Sequence, residues 1–441
     1  MARLEAEPPP RAGRPPLRLR DCYAFFGPLV LMVELNMISK SVIHAFLART
    51  DNPSTTLAAF NAAFTFYFAL SSATEVIIVL SLSYLKSRAD MLRLMAFTGM
   101  VMLLPLSVAV ATTFTPFGDV VFGSWFGLGR QAQDEARTAV GILALSAPVL
   151  IMRGTAFAQL MMARQTIIIT WSTLLRLLSL TLSLAILPIG LQGATIGAGA
   201  LVLCMVAEAA FAWFFAWRHL RALPATREPK EPFLGYWRFA WPLIVNSSAE
   251  LGSIFVINLF LGRLSRAEVA IAAFGVVHGL ISLMMAPLRT LAQSAQTLVS
   301  RREDVRTMFV FAGQLVAAFT VLPLVLFHTP LSDTVLRGIM GLDPELTAYS
   351  EPAMRLAFVM AVFWSTTALF RGLLAKARST TSLAASGVLR ILTAAAAGSF
   401  SLAHPEINGA FLGVAAWILS YVIETAVSTW RLRQLGWYAE R

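Results

Sequence analysis

Apolar residues run along this chain in blocks close to the ~20 residues that a helix needs to cross a hydrocarbon core. Short polar stretches rich in Arg, Gly and Pro separate them. The blocks predict twelve helical spans, at roughly 22–48, 57–84, 92–114, 138–162, 166–188, 192–216, 237–262, 268–297, 307–327, 350–374, 380–401 and 407–430. One span is polar along a face: Asn36, Lys40 and His44 recur at i, i+4 and i+8. A stripe of that kind faces a cavity or a polar partner rather than lipid.

The pattern is written twice. Pro28, Phe46, Leu47 and Arg49 return 214 positions later as Pro242, Phe260, Leu261 and Arg263. The same shift pairs Phe60 with Phe274, Asp90 with Asp304, and Thr115, Pro116 and Asp119 with Thr329, Pro330 and Asp333. It also pairs Gly127-Leu128 with Gly341-Leu342, Arg164 with Arg378, and Leu175-Arg176 with Leu389-Arg390. The shift becomes 216 for Gly193-Ala194, Gly197 and Glu208 against Gly409-Ala410, Gly413 and Glu424. A constant shift over nearly the whole length marks an internal duplication. The predicted fold is therefore an all-α polytopic membrane protein with two six-helix repeats. Six spans per half is even, so the halves share one orientation and a pseudo-two-fold axis runs along the membrane normal. The expected division is a tail at 1–21, an N-lobe at 22–218, a linker at 219–236, a C-lobe at 237–434 and a tail at 435–441.

Composition agrees. The chain is 57% hydrophobic and 13% charged, against about 25% charged in soluble domains. The net charge of +11 does not point to nucleic acid, because the basic residues gather in loops on one side. Those loops hold Arg18, Arg20, Lys86, Arg88, Arg93, Arg164, the linker arginines, Arg301, Arg302, Arg306, Lys376 and Arg378. The asymmetry places both termini and the linker in the cytoplasm. Cys22 and Cys204 form no metal spacing and no disulfide framework. The Arg- and Pro-rich start has no apolar run and reads as a tail, not a signal peptide.

Charges inside the membrane are costly and are functional candidates by default. Arg176 and Glu208, with their repeats Arg390 and Glu424, lie at roughly 15 Å depth, at 1.5 Å per residue. They are expected to pair within each half, as structural pairs. The unmatched charges are the stronger site candidates. Glu75 in span 2 corresponds to Arg289 in span 8. Two readings stand: the two line a central cleft and pair in one access state, or each binds locally within its own lobe. Glu34, Asn36 and Lys40 in span 1, Glu250 and Asn258 in span 7, and Arg153 in span 4 complete the cleft set. Arg355 and Arg371 are close enough to opposite span ends to snorkel. Desolvation of Glu34 or Glu250 would suit proton coupling, whereas a neighbouring Arg or Lys would keep either ionised. Pro28 and Pro242 each remove a helix hydrogen bond and are candidate hinges.

No Walker motif, CxxC or HExxH occurs, and the loops hold few His or acidic residues. The chain is expected to be no enzyme, with no metal and no cofactor. The Gly193-Ala-x-x-Gly197 and Gly409-Ala-x-x-Gly413 runs read as close helix packing, not as a nucleotide loop.

The duplicated twelve-span plan resembles the multidrug, oligosaccharidyl-lipid and polysaccharide (MOP, MATE-like) exporter superfamily. Within it, the second half is most similar to the progressive ankylosis protein family. The residues carrying the likeness are Trp241-Pro242-Leu243, Asn258-Leu-Phe-x-x-Arg263, Arg289, Ile339-x-Gly341-x-Asp343, Val388-Leu-Arg390-Ile391, Gly409-Ala-x-x-Gly413 and Glu424. The resemblance implies export of a small polyanion such as citrate, pyrophosphate or a nucleotide across the plasma (cell inner) membrane, with Arg289 as anion contact. Arg153 and Lys40 are supporting candidates on depth alone. The expected function is a secondary-active transporter working by rocking-bundle alternating access. The alternatives are a proton- or sodium-coupled multidrug cation exporter, with Glu34, Glu75 and Glu250 as its acids, and a lipid-linked oligosaccharide flippase. The expected partners are the lipid bilayer and an anionic small molecule, not nucleic acid, and the protein is expected to be a monomer.

Overall fold

The computed structural model describes residues 16–436, apart from 48, 51, 72, 73, 75, 127, 226–230, 341 and 343. Every regular element among the described residues is helical. The first half holds α1 (Leu19–Leu47), α2 (Pro53–Ser71), α3 (Val76–Tyr84), α4 (Arg88–Phe114), α5 (Arg130–Ala144), α6 (Ala147–Met162), α7 (Thr166–Ile186) and α8 (Ala194–Arg221). The second half holds α9 (Phe233–Leu261), α10 (Ala267–Met285), α11 (Leu291–Leu298), α12 (Arg302–Phe327), α13 (Pro344–Met354), α14 (Ala357–Lys376), α15 (Thr381–Gly398) and α16 (Gly409–Gln434). Eleven helical stretches among the described residues are long and apolar enough to cross a membrane, with Thr55–Tyr84 and Ala273–Leu298 each counted as one. The pair α5 and α6, bent by 43°, makes a twelfth span.

The repeat is visible in the backbone as well as in the residues. Six-residue π-helical turns stand at Val120–Trp125 and Thr334–Ile339, which are 214 positions apart. Arg164 (φ 57°) and Arg378 (φ 54°) are the non-glycine residues with positive φ among the described ones. Each follows the end of a helix whose last carbonyls are closed from beyond it: Gln165 N donates to Leu160 O at 2.8 Å, and Ser379 N to Leu374 O at 2.9 Å. That left-handed step ends a helix while keeping its last carbonyls satisfied.

Span 8, expected as continuous, is interrupted: a 3₁₀ turn over Ala286–Thr290 separates α10 from α11. Pro287 lies in that turn and has no N–H to give to a continuing α-helix. Arg289 is in the turn too.

Each half caps its spans with equivalent residues. Asp90 accepts from Ser87 Oγ at 2.9 Å and from Lys86 N at 3.2 Å at the start of α4. Asp304 accepts from Ser300 N, Arg301 N and Leu17 N at 2.9, 3.0 and 3.1 Å at the start of α12. The first N–H of α8, from Ala194, donates to Glu135 Oε2 at 2.9 Å, and that of α16, from Gly409, donates to Tyr349 Oη at 2.7 Å. Glu135 and Tyr349 are again 214 apart, so different side chains fill one capping place. Gly193 precedes α8 with φ +58°, and a Cβ there would stand 2.2 Å from Glu135 Oε2, so the site requires glycine.

By compactness the chain divides into two units. The first is Pro28–Leu251; the second is the residues up to Gly27 together with Gly252–Arg441. In the first unit α8 packs against α5, α6 and α7, and α2 against α5. In the second, α16 packs against α10, α13, α14 and α15. Pro28 stands at the division in α1, and Pro242 is buried within the first unit.

Two glycines hold α3 and α11 against their neighbours. A Cβ on Gly372 of α14 would meet the backbone oxygen of Ala292 in α11 at 2.2 Å, and one on Gly154 of α6 would meet Ile77 Cγ2 in α3 at 2.3 Å. A side-chain methyl can rotate away, whereas a helix backbone cannot. Gly372→Ala should therefore destabilise by about 1–3 kcal/mol and Gly154→Ala by less. Thermal unfolding of the two variants in detergent checks the order.

Candidate functional site

In each unit the buried charge gathers on one glutamate. Glu208 on α8 is fully buried. Arg153 of α6 approaches it with Nη1 at 3.0 Å from Oε2, and Arg176 of α7 with Nη1 at 3.3 Å from the same oxygen. Thr173, one turn before Arg176, donates Oγ1 to Oε1 at 3.0 Å. Arg176 Nη1 also donates to Asn36 Oδ1 of α1 at 2.5 Å, which links the polar face of α1 to the cluster. Thr170 of α7 donates to the Pro28 carbonyl at 2.6 Å, so α1 and α7 are joined on both sides of that turn.

The second unit repeats the arrangement on Glu424 of α16, again fully buried. Arg371 of α14 is bidentate, with Nε to Oε1 at 2.8 Å and Nη2 to Oε2 at 3.0 Å. Arg390 of α15 donates Nη1 to Oε2 at 2.9 Å and lies over the Tyr421 ring at 5.0 Å. Each cluster thus holds two guanidinium groups on one carboxylate. A charge this far from water needs compensation in kind, and removing one partner is much costlier than exchanging the whole set for apolar groups.

The sequence reading placed Arg153 among the cleft residues and Arg371 at a snorkelling end. In the structure both grip the buried glutamate of their own unit. Arg371 was missed because the 214 shift sets it opposite Phe157. The Arg-Gly step at 153–154 and 371–372 is 218 apart, one helical turn further, which keeps the side chain on the same helix face. That dipeptide was the available signal.

The remaining candidates lie apart from these clusters. Arg289 is exposed, with its guanidinium 5.1 Å from the centre of the Trp364 ring. Trp364 belongs to an aromatic group of the second unit. Its ring lies 5.5 Å from Trp417 and 5.7 Å from Tyr421, and His278 lies 4.6 Å from Trp417. Glu34 on α1 and Glu250 on α9 are half-buried in the first unit. Asn258 donates Nδ2 to Ile254 O of its own helix at 3.0 Å. Glu75 and the Lys40 side chain lie outside the described residues, and so does any pairing of Glu75 with Arg289. Among the described residues no group of three His, Cys, Asp or Glu is placed to hold a metal.

No family model and no curated protein matches the chain. Solved structures do match over nearly its whole length. A MOP superfamily transporter from Pyrococcus furiosus aligns at 14% identity over 96% of this chain and 97% of that one, with a TM-score of 0.73. A MATE protein in complex with MaD3S aligns at 15% identity over 95% and 96%, with a TM-score of 0.74. An outward-facing multidrug resistance MATE family transporter aligns at 14% identity over 95% and 96%, with a TM-score of 0.71. The fold is that of the MATE/MOP transporters: an all-helical, multi-pass membrane protein of twelve spans.

Proposed function

We propose that the protein is a secondary-active exporter of a small organic or phosphorylated anion, working by alternating access. The fold likeness supports transport. The observation that carries the sign of the substrate is the guanidinium of Arg289, exposed in the 3₁₀ turn that interrupts span 8 and 5.1 Å from the centre of the Trp364 ring. In this reading Arg289 is the anion contact. Interrupted spans are where transporters of several folds bind substrate. The resemblance of this half to the progressive ankylosis family supports the same class: citrate, pyrophosphate or a nucleotide. For the MOP transporter from Pyrococcus furiosus, reverse polarity of the binding pocket suggests a different function, so the fold alone does not fix the substrate.

The first unit carries the acids Glu34 and Glu250. In this reading they couple transport to protons or sodium, and the cations of the second unit take the substrate. Coupling is tested in proteoliposomes. An imposed pH gradient should stimulate wild-type anion uptake. Glu250→Gln should lose that stimulation while keeping anion exchange at equilibrium; loss of exchange as well would place Glu250 in the substrate site instead.

The same two acids favour a second reading, a multidrug cation exporter in which they bind the drug. We further infer a plasma-membrane protein with cytoplasmic termini, acting as a monomer, on the strength of the loop-charge asymmetry and the duplicated plan.

A further inference from the structure

The start of α7 and the basic end of α8 in the first unit frame a cavity of about 400 Å³ lined by Gln165, Ile168, Phe215, Arg218 and His219. We propose that this cavity seats the phosphate headgroup of an acidic phospholipid.

Three observations support it. The cavity sits where an apolar span turns basic. Phe214, Phe215 and Trp217 are exposed on the last turns of α8, and Arg218, His219 and Arg221 follow within one turn. Aromatic rings followed by cationic side chains mark the headgroup level of a bilayer. The second observation is how the polar groups are arranged. His219 Nε2 and Gln165 Oε1 are 3.0 Å apart, which fixes one wall. On the same last turns Arg221 lies over the Trp217 ring at 4.7 Å, and Arg164, exposed, precedes Gln165. Arg218 is exposed at the rim. An anion entering there meets Arg218 and the His219–Gln165 pair, while an acyl chain leaving it meets Ile168 and Phe215.

The third observation is the contrast with the repeat. The equivalents of Gln165, Phe215 and Arg218 are Ser379, Arg431 and Gln434. There Arg431 spans the same place, donating Nε to Ser379 Oγ at 3.0 Å and Nη1 to Gln434 Oε1 at 2.9 Å. The second unit closes the place with its own guanidinium. The first unit has Phe215 there instead and leaves it open beneath a cationic rim. The two copies of one scaffold have diverged so that one of them is a lipid seat. Basic pockets at the membrane surface recognise acidic headgroups in this way.

Native mass spectrometry of the full-length protein in detergent, titrated with phosphatidylglycerol, tests the proposal. One phosphatidylglycerol should bind preferentially. Phosphatidylcholine should not compete, and inorganic phosphate should not displace it. Arg218→Gln and the cavity-filling Ile168→Phe should each weaken binding about fivefold or more, while Arg431→Gln should leave it unchanged. Equal binding of phosphatidylcholine would overturn the proposal, and so would displacement by inorganic phosphate, which would mark a free-anion site. Wild-type affinity in Arg218→Gln, or a comparable loss in Arg431→Gln, would overturn it too. Arg218 is a surface residue, so its variant carries the test even where the cavity-filling change disturbs folding.

Discussion

Replacing Glu424 with alanine should destabilise the second unit by about 3–5 kcal/mol, the cost of leaving buried charge without its counter-charge. Arg390 is fully buried, and its Nη1 rests on Glu424 at 2.9 Å. Arg371 holds both oxygens of the same carboxylate. With Glu424 gone, the fully buried Arg390 and the partly buried Arg371 lose the acid between them. The corresponding change in the first unit, Glu208→Ala, should cost less, because Arg176 has a side-chain exposure of 9% where Arg390 has 0%, and it keeps the Asn36 oxygen. The triple change of Glu424, Arg371 and Arg390 to leucine should recover most of the stability lost in Glu424→Ala, because it removes the charges together with their desolvation cost. Thermal midpoints of the purified variants in detergent read all three. A Glu424→Ala protein as stable as the wild type would show that the cluster does not hold the unit together.

The second large effect is expected on transport. Arg289→Ala should lower anion uptake by roughly 10- to 100-fold, since a contact to a charged group contributes about 1.5–3 kcal/mol and each 1.4 kcal/mol is tenfold. Arg289→Lys should fall between the two, because it keeps the charge but loses the planar group that stacks on Trp364. The stability of Arg289→Ala should stay near that of the wild type, since the residue is exposed at a 3₁₀ turn rather than packed in the core. An equal fall in stability and uptake would make Arg289 structural.

Much of this architecture could be read from residue order. The twelve apolar blocks, and the duplication behind them, are long-range patterns that single substitutions do not blur. Pairing of Arg176 with Glu208 and of Arg390 with Glu424 was expected from depth on antiparallel neighbours, and the coordinates give 3.3 and 2.9 Å. The second guanidinium in each cluster was not legible. A residue's depth along a span does not say which face it occupies, so Arg153 read as a cleft residue. The one-turn slip between Arg153 and Arg371 hid their equivalence. The interruption in span 8 was hidden for a related reason. Hydropathy averages over some 19 residues, and a turn of five with two apolar neighbours does not break the average. Pro287 was the only local sign in the second half. The lipid seat depends on what is missing, an arginine at 215 where the repeat has one at 431, and an open space is not written in composition.

The most direct test of an anion exporter is selectivity in purified wild-type proteoliposomes. Labelled citrate, pyrophosphate and a lipophilic cationic dye are offered in parallel under the same imposed pH gradient. The account predicts that at least one of the two anions accumulates well above protein-free vesicles while the dye does not. Accumulation of the dye, with both anions at the protein-free level, would contradict it and return the acids Glu34 and Glu250 to the role of substrate ligands.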